Sequence, residues 1–236
     1  MSEKETSTEL TTIEQRRQEI LAAQAEYSQG LHSGGNFISF ARGNMKVNGQ
    51  PVPNNMADVR ILAVVPERAW YDQPYDPDSP QVPACFSIGN TGKPHPNSRS
   101  PQSDACATCP KNQWGSAPPR PGSTKPGRGK ACREAARVIV VPANMDFAKA
   151  PMYQAKLPVT SMNAADAFVT KCNQLGKLYG EFLVTMRVEE DRKSFFKVFL
   201  DVKEYIENQD LELIISRQND ALQLALEPYP VFEDEE

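Results

Sequence analysis

Residues 181–206, EFLVTMRVEEDRKSFFKVFLDVKEYI, decide the fold because they join two β-rich runs through a short polar turn. The runs Glu181–Glu190 and Ser194–Ile206 are rich in β-branched and aromatic residues, and Asp191–Lys193 lie between them. This pattern predicts an antiparallel β-hairpin late in the chain.

The second run of the hairpin has two distinct faces, because successive side chains of a strand point to opposite sides of a sheet. One face is apolar and predicts core; it comprises Phe196, Val198 and Leu200. The other face is aromatic and basic; it comprises Phe195, Lys197 and Phe199. We interpret this second face either as a solvent-facing surface for base stacking or as a layer buried beneath the terminal helix.

A helix and several strands precede the hairpin. Residues 161–180 have apolar side chains at helical spacing, which predicts a helix that ends at Gly180. The strands predicted before it are RVIVVP at 137–142, MYQAKLP at 152–158 and the apolar run Val59–Val65, which the following proline ends. Residues 36–53 predict two more strands around an Asn48-Gly49 turn.

This order of elements matches the OB barrel, whose helix lies between its third and fourth strands. Other mixed α+β folds with an antiparallel sheet fit the same order. We predict a mixed β/α fold, a five-stranded OB-like antiparallel barrel with a cysteine-bearing insertion and flanking helices. The predicted parts are an N-terminal helix (13–29) and linker within 1–35, the OB-like domain at 36–210 with its insertion at 84–136, a helix at 211–227 and an acidic tail at 228–236.

Four of the five cysteines lie within residues 85–132, and the stretch around the last three is almost free of core-forming residues. Residues 104–137, DACATCPKNQWGSAPPRPGSTKPGRGKACREAAR, are rich in Pro, Gly, Lys and Arg, and cannot hold a shape by burying apolar surface. One structural Zn²⁺ bound by four thiolates would supply the missing stability. The predicted zinc ligands are Cys85, Cys106, Cys109 and Cys132. The insertion is therefore predicted to be pinned by zinc.

Other states of these cysteines stay open. Two disulfides are disfavoured, because the polar N-terminal residues predict no secretory signal and intracellular chains rarely keep disulfides. Inert buried thiols, a redox pair and an iron–sulfur cluster are the alternatives to zinc. His95 could replace one cysteine as a ligand, and Cys172 is interpreted as a core or helix-surface cysteine.

Charge is distributed unevenly along a chain whose net charge is −4. Residues 111–137 carry seven Lys and Arg residues and one Glu, which indicates a polyanionic partner. The last ten residues carry five acids, which predicts a tail that repels this partner or folds over the basic region as a competitor. A solvated charge run is the alternative for each segment.

Binding of a single strand requires cations that follow the phosphates and flat side chains on which bases stack. Aromatic and basic residues interleave at 68–75, 111–114 and 192–199. The predicted nucleic-acid contacts are Arg68, Trp70, Tyr71, Lys111, Trp114, Arg120, Lys125, Arg128, Lys130, Arg133, Lys193, Phe195, Lys197 and Phe199. The structural alternatives are a cover over the metal site for Trp114 and an edge of the core for Trp70.

The chain resembles the phage-encoded single-stranded DNA-binding, helix-destabilising proteins. The resemblance rests on the OB-like strand order, the aromatic and basic surface, and an acidic tail with an aromatic residue near its end; the segment CATCPKNQWGS is also similar to a motif of phage proteins. It implies that the protein coats exposed DNA during replication, recombination or repair, in the cytoplasm of a bacterial host infected by phage. Some members of that family carry a zinc-bearing loop.

The same resemblance implies a partner-binding tail that recruits replication or recombination proteins. Its residues are Phe232, Glu233, Asp234, Glu235 and Glu236. Several members of the family end in Phe, whereas four acids follow Phe232 here, and this difference sets the tail apart from theirs.

We predict no enzymatic activity, because the sequence lacks the phosphate-loop, dinucleotide, zinc-protease, nucleophile-elbow and zinc-deaminase signatures. The alternative function is an interaction or regulatory protein whose zinc loop binds a host or phage protein. No stretch approaches the roughly 18 apolar residues of a membrane span, so no membrane partner is expected. A homo-oligomer, and RNA in place of DNA, stay open.

Overall fold

The computed structural model describes residue 16 and residues 36–73, 81–119, 125, 127–207 and 209–230. Backbone contacts divide the chain into residues 1–35 and residues 36–236, and the fold below is that of the second unit. Of the predicted helix at 13–29 only Arg16 is described, and it is helical. The rest of that helix, Arg120 and the tail residues 231–236 lie outside the described residues.

The described residues form one large sheet and two α-helices. The strands are β1 (Phe37–Ser39), β2 (Lys46–Val47), β3 (Gln50–Pro51), β4 (Met56–Trp70), β5 (Cys85–Ile88), β6 (Arg133–Pro142), β7 (Tyr153–Pro158), β8 (Phe182–Asp191) and β9 (Phe195–Tyr205). The helices are α1 (Met162–Leu175) and α2 (Leu211–Leu226). The sheet order is β3-β2-β1-β7-β6-β4-β8-β9, with β5 paired to β4, and all pairs are antiparallel except β1 with β7.

A sheet-dominated mixed fold with helices is therefore confirmed, but the predicted count of five strands is wrong. Nine strands lie in the sheet of the described residues. The additional strands are short: β2 and β3 have two residues each, on either side of the predicted Asn48-Gly49 turn, and β5 lies inside the segment predicted as an insertion. Strands around the Asn48-Gly49 turn were predicted, whereas the four residues of β5 carry too little alternation to be recognised in a sequence.

The sheet curls so that its first strands approach its last. A 3₁₀ turn, Ala41–Gly43, follows β1 and contacts β8 and β9. A Cβ atom at Gly43 would lie 3.4 Å from Cβ of Phe196, so the missing side chain allows the two backbones to meet closely. The result is a curled half-barrel with one helix packed on each side of the sheet.

Two apolar clusters fill the space between the sheet and its helices. The α1 cluster contains Phe168 and Cys172 of the helix, packed with strand residues such as Val138 and Val198. The α2 cluster contains Ala221 and Ala225, packed with residues of β4, β5 and β6. Because α2 packs on β4 and β6, it does not bury the aromatic face of β9, and Phe195 is 89% exposed.

The late hairpin is confirmed, with Asp191 paired to Phe195 at its end and Phe196, Leu200 and Val202 packed against the α1 cluster. The predicted helix end at Gly180 is wrong. Helix α1 ends at Leu175, because Gly176 adopts the left-handed conformation (φ 61°) and its amide and that of Lys177 bind the last carbonyls of the helix.

The prediction that Pro66 ends a strand is also wrong, since β4 continues to Trp70. The carbonyl of Pro66 accepts a hydrogen bond from the amide of Gly89, just beyond the end of β5. The amide position of a strand residue points to the same side as its carbonyl, so the missing N–H of Pro66 faces Gly89, where the pairing with β5 ends. Proline is tolerated at such an edge of the pairing.

Candidate functional site

Four of the five cysteines meet at one small cavity beneath the end of β4. The thiols of Cys85, Cys106, Cys109 and Cys132 all line it, although up to 47 positions separate them in the sequence. The cavity measures about 20 Å³, which is space for one water-sized body. Among the described residues all five cysteines are free thiols, so no disulfide competes for these sulfurs.

The cysteine loop is residues 104–132, and backbone and amide hydrogen bonds hold its described residues, 104–119, 125 and 127–132, around this cavity. Cys109 precedes a 3₁₀ turn that begins at Pro110, and the side chain of Asn112 donates to the carbonyl of Cys106 at 2.8 Å. The amide of Cys132 donates to the carbonyl of Lys111 at 2.8 Å, which returns the chain to the cavity. The loop has local polar order in place of an apolar core.

Two of the four cavity thiols, Cys132 and Cys85, have a raised pKa. Burial, together with charge repulsion from the neighbouring Cys85, Cys109 and Cys106, raises the pKa of the Cys132 thiol to about 12. Burial likewise raises the pKa of Cys85, with Cys106 and Cys109 adding to it. Thiols that disfavour each other's charged form are close together, and a bound cation would reverse this effect.

The arrangement seen is not itself a metal-binding geometry. Within the part of the chain that the structure describes, no group of three or more His, Cys, Asp or Glu side chains is placed to hold a metal ion. The four thiols therefore share a cavity but would have to close inward to form a tetrahedron. Four soft sulfur donors around a space for one ion are the donor set that suits Zn²⁺.

Two cations line the same cavity. Arg68 and Lys111 both contribute to its wall, and Arg68 lowers the pKa of Cys132 against the dominant effect of burial. Lys111 Nζ also lies 4.9 Å from the centre of the Trp70 ring. Zn²⁺ with four thiolates would carry two negative charges, so cations at this wall would offset the excess.

His95 does not line the cysteine cavity. Its ring stacks on Phe86 at 5.0 Å, and its Nδ1 accepts a hydrogen bond from the amide of Asn97. Cys172 is fully buried in the α1 cluster, as one of its two interpretations requires. Neither residue joins the four cavity thiols.

Trp114 projects from the cysteine loop and is 80% exposed. Lys130 Nζ lies 5.6 Å from its ring centre, and the loop backbone is held there by amides of Gly115 and Ala117 that donate to the carbonyl of Gly129. The interpretation of Trp114 as a buried cover over the metal cavity does not fit this exposure. Arg128, Lys125 and Arg133 are exposed on the same loop or at its end.

The aromatic residues near the end of β4 are less available. Trp70 is half-buried at the cavity wall, so it matches the core-edge alternative more closely. Tyr71 packs against the α2 cluster. Arg68 is within 3.5 Å of Glu134, which also pairs with Lys130 at 3.1 Å.

The β9 surface is more neutral than its sequence suggests. The guanidinium of Arg187 lies 4.2 Å from the Phe199 ring centre and pairs with Glu189 and Asp201. Lys197 pairs with Asp191 at 3.0 Å. Phe195, at the hairpin end, is the exposed aromatic of this group, and Lys193 beside it is exposed.

The two predicted contact regions lie at opposite ends of β4. Trp70 is opposite Cys85 at one end, whereas Met56, at the other, is opposite Arg187, four residues before Asp191. The strand has 15 residues and rises about 3.3 Å per residue, so its ends are about 45 Å apart along the strand. Arg42, which was not among the predicted contacts, lines the same cavity as Phe195. The adjoining Arg42-Gly43 pair was its only signal.

Comparisons with protein-family models, with curated proteins and with solved structures gave no match. Among the helices of the described residues, none is long and apolar enough to cross a membrane.

Proposed function

We propose that this chain is a non-catalytic single-stranded DNA-binding protein that coats exposed strands in phage DNA replication, recombination or repair. The observation that carries the proposal is Trp114, a tryptophan 80% exposed within a loop rich in Lys and Arg. The Trp114 ring, beside Lys130, is too exposed to contribute to the hydrophobic core. It offers a face on which a base can stack while neighbouring cations meet phosphates.

The proposal includes an OB-like fold for residues 36–210. The curled sheet, the helix α1 between β7 and β8, and the closing hairpin support it. In this view β1–β3 and β5 are additions to a five-stranded framework. The cytoplasm of an infected bacterial cell is the proposed location.

A structural Zn²⁺, one per chain, is part of the proposal. Cys85, Cys106, Cys109 and Cys132 would hold it, and their convergence on one cavity supports this. The ion would stabilise a loop that has little apolar surface of its own, and would thereby fix Trp114. The residues of the loop would make the contacts to DNA.

The acidic tail is proposed to compete with DNA and to recruit replication or recombination proteins. The described chain ends at Pro230, next to Tyr229, whose ring packs edge-on against Phe86 at 5.0 Å. Phe86 also lines the cysteine cavity. The tail therefore begins near the basic loop, which supports competition.

A second candidate, an interaction protein, is favoured by one feature of α2. Four large apolar side chains on its outer surface are between 39% and 51% exposed: Leu211, Ile215, Leu222 and Leu226. Their spacing places them along one stripe of the helix. A protein partner would be expected to bind there, and this binding would survive without DNA.

The decisive experiment is a titration of labelled dT16, rU16 and a matched duplex at two salt concentrations, read by fluorescence anisotropy. We expect tight, salt-dependent binding of dT16, and a loss of roughly 5- to 100-fold in affinity for Trp114→Ala. Phe37→Ala, which removes a 45%-exposed ring elsewhere, is the matched control and should bind normally. Failure of wild-type protein to bind any single strand would overturn the proposal.

A further inference from the structure

An open cavity lies where the curled sheet meets itself, between the 3₁₀ turn after β1 and the end of the β8–β9 hairpin. We call it the seam cavity. Its volume is about 730 Å³, and its walls comprise Arg42, Glu190, Asp191, Arg192, Phe195 and Phe196. It is well separated from the cysteine loop, because the two regions lie beyond opposite ends of β4.

Two residues of this cavity adopt left-handed backbone conformations that their side chains disfavour. Arg42 has φ 55° and Phe195 has φ 68°. For a bulky side chain such a conformation is an outlier, and outliers of this kind concentrate at binding sites. Glycine would fit the Phe195 position without strain.

The side chain of Phe195 adds nothing to the core that would explain this strain, since it is 89% exposed. Its neighbour Phe196 supplies the core contact instead, packed against the α1 cluster. The conformation at 195 is imposed by the turn: the Asp191 carboxylate accepts hydrogen bonds from the amides of Lys193 and Ser194 and from the Ser194 hydroxyl. An aromatic ring is thus held out into solvent by a rigid turn.

Two carboxylates, Glu190 and Asp191, and two guanidinium groups, Arg42 and Arg192, line the cavity. Asp191 is already engaged by the turn and by Lys197 at 3.0 Å. Arg42, Arg192 and Lys193 form no ion pair with any residue that the structure describes. Glu190 also forms no ion pair with a described residue, so three unpaired cations outnumber one unpaired carboxylate around the exposed ring. The two guanidinium groups can bind phosphate oxygens in a bidentate manner.

We propose that the seam cavity binds one nucleotide unit of an unpaired strand, with its base stacked on Phe195 and its phosphate held by Arg42 and Arg192. This inference rests on the proposed function and adds a second contact site to it, independent of Trp114. A strand that reaches both sites must pass along the length of β4.

The test is Phe195→Gly. This variant relieves the left-handed backbone strain and at the same time removes the ring on which a base would stack. Relief of the left-handed strain should leave the melting temperature unchanged or raise it, while loss of the ring should weaken dT16 binding by roughly 5- to 100-fold. A side chain with a purely structural role would not lower affinity while preserving stability. Phe37→Ala is again the matched control, since it removes an exposed ring from β1.

Arg42→Asn is the second variant. Asparagine tolerates the left-handed conformation but carries no charge, so the fold is retained and the dependence of affinity on salt should fall by about one unit of slope. If Phe195→Gly failed to fold, this variant would decide by the same readouts. Wild-type affinity for dT16 in both variants would overturn the seam site and leave the proposed function intact. Absence of dT16 binding in wild-type protein would overturn the proposed function itself, and the seam site with it.

Discussion

Arg137 donates a hydrogen bond to the carboxylate of Glu67 inside the sheet, and their side chains are 4% and 0% exposed. The same carboxylate accepts from Lys156 and from the hydroxyl of Tyr229. Arg137 also donates to the carbonyls of Ala225 and Glu227 at 3.1 and 2.6 Å. This buried network therefore fastens the end of α2, and the residues after it, to β4 and β6.

Glu67→Gln should be strongly destabilising. The variant leaves Arg137 buried without its counter-charge, which costs about 3 kcal/mol of unfolding free energy. Glu134→Gln is the control, because Glu134 is 28% exposed and pairs with Arg68 and Lys130 near the surface, where less than about 1 kcal/mol is expected. Chemical denaturation of the two variants measures both values. Equal effects would contradict a structural role for the buried network.

The network also predicts acid sensitivity. Burial alone would raise the pKa of Glu67, but the charges of Lys156 and Arg137 outweigh burial and lower it below the ordinary 4.5. A carboxylate whose pKa is lowered by folding adds stability above its ordinary pKa, and this stability is lost as pH falls through the lowered value. Melting temperature should therefore decline below about pH 4.5, and less steeply in Glu67→Gln. If the melting temperatures of wild type and Glu67→Gln declined equally as pH falls, the acid sensitivity would come from other groups.

The sequence predicted those parts of the fold whose signals are local. The two faces of β9 followed from alternation, because Phe196 and Val198 had to point to the same side. The extension of β4 through Pro66 did not follow, since it depends on where β5 ends in space. The meeting of the four cysteines at one site was predicted because the segment around them has few core-forming residues. The separation of Trp114 from Phe195 was not, because it depends on the register of β4 against β8.

Metal analysis should find about one zinc per chain, and the double variant Cys106→Ser, Cys109→Ser should lose it. Both thiols line the common cavity, and two remaining ligands hold a zinc ion poorly. Cys172→Ala is the matched control, because its thiol is buried in the α1 cluster, and it should keep the metal. Protein purified without chelators that contains no zinc would refute the metal site.

The salt dependence of DNA affinity should identify the cations that meet phosphate. Arg128 is exposed in the cysteine loop and forms no ion pair with a described residue, so Arg128→Ala should lower the slope of log affinity against log salt by about one. Lys203→Ala is the control. Lys203 lies on β9, away from the cysteine loop, and pairs with Asp58 at 2.8 Å. Equal slopes in wild type and Arg128→Ala would remove the loop from the DNA path.

Two truncations should separate the acidic tail from the network that anchors it. Removal of residues 231–236 deletes four acids and should raise affinity for dT16, with unchanged melting temperature, because Tyr229 is retained. Removal of residues 228–236 also deletes Tyr229, whose hydroxyl donates to Glu67 at 2.7 Å and whose ring packs on Phe86. This longer truncation should lower the melting temperature as well. Anisotropy and thermal denaturation of both proteins measure the two effects separately. If the shorter truncation leaves affinity unchanged at low salt, the tail does not compete with DNA; if the longer one melts like wild type, Tyr229 does not anchor the chain end.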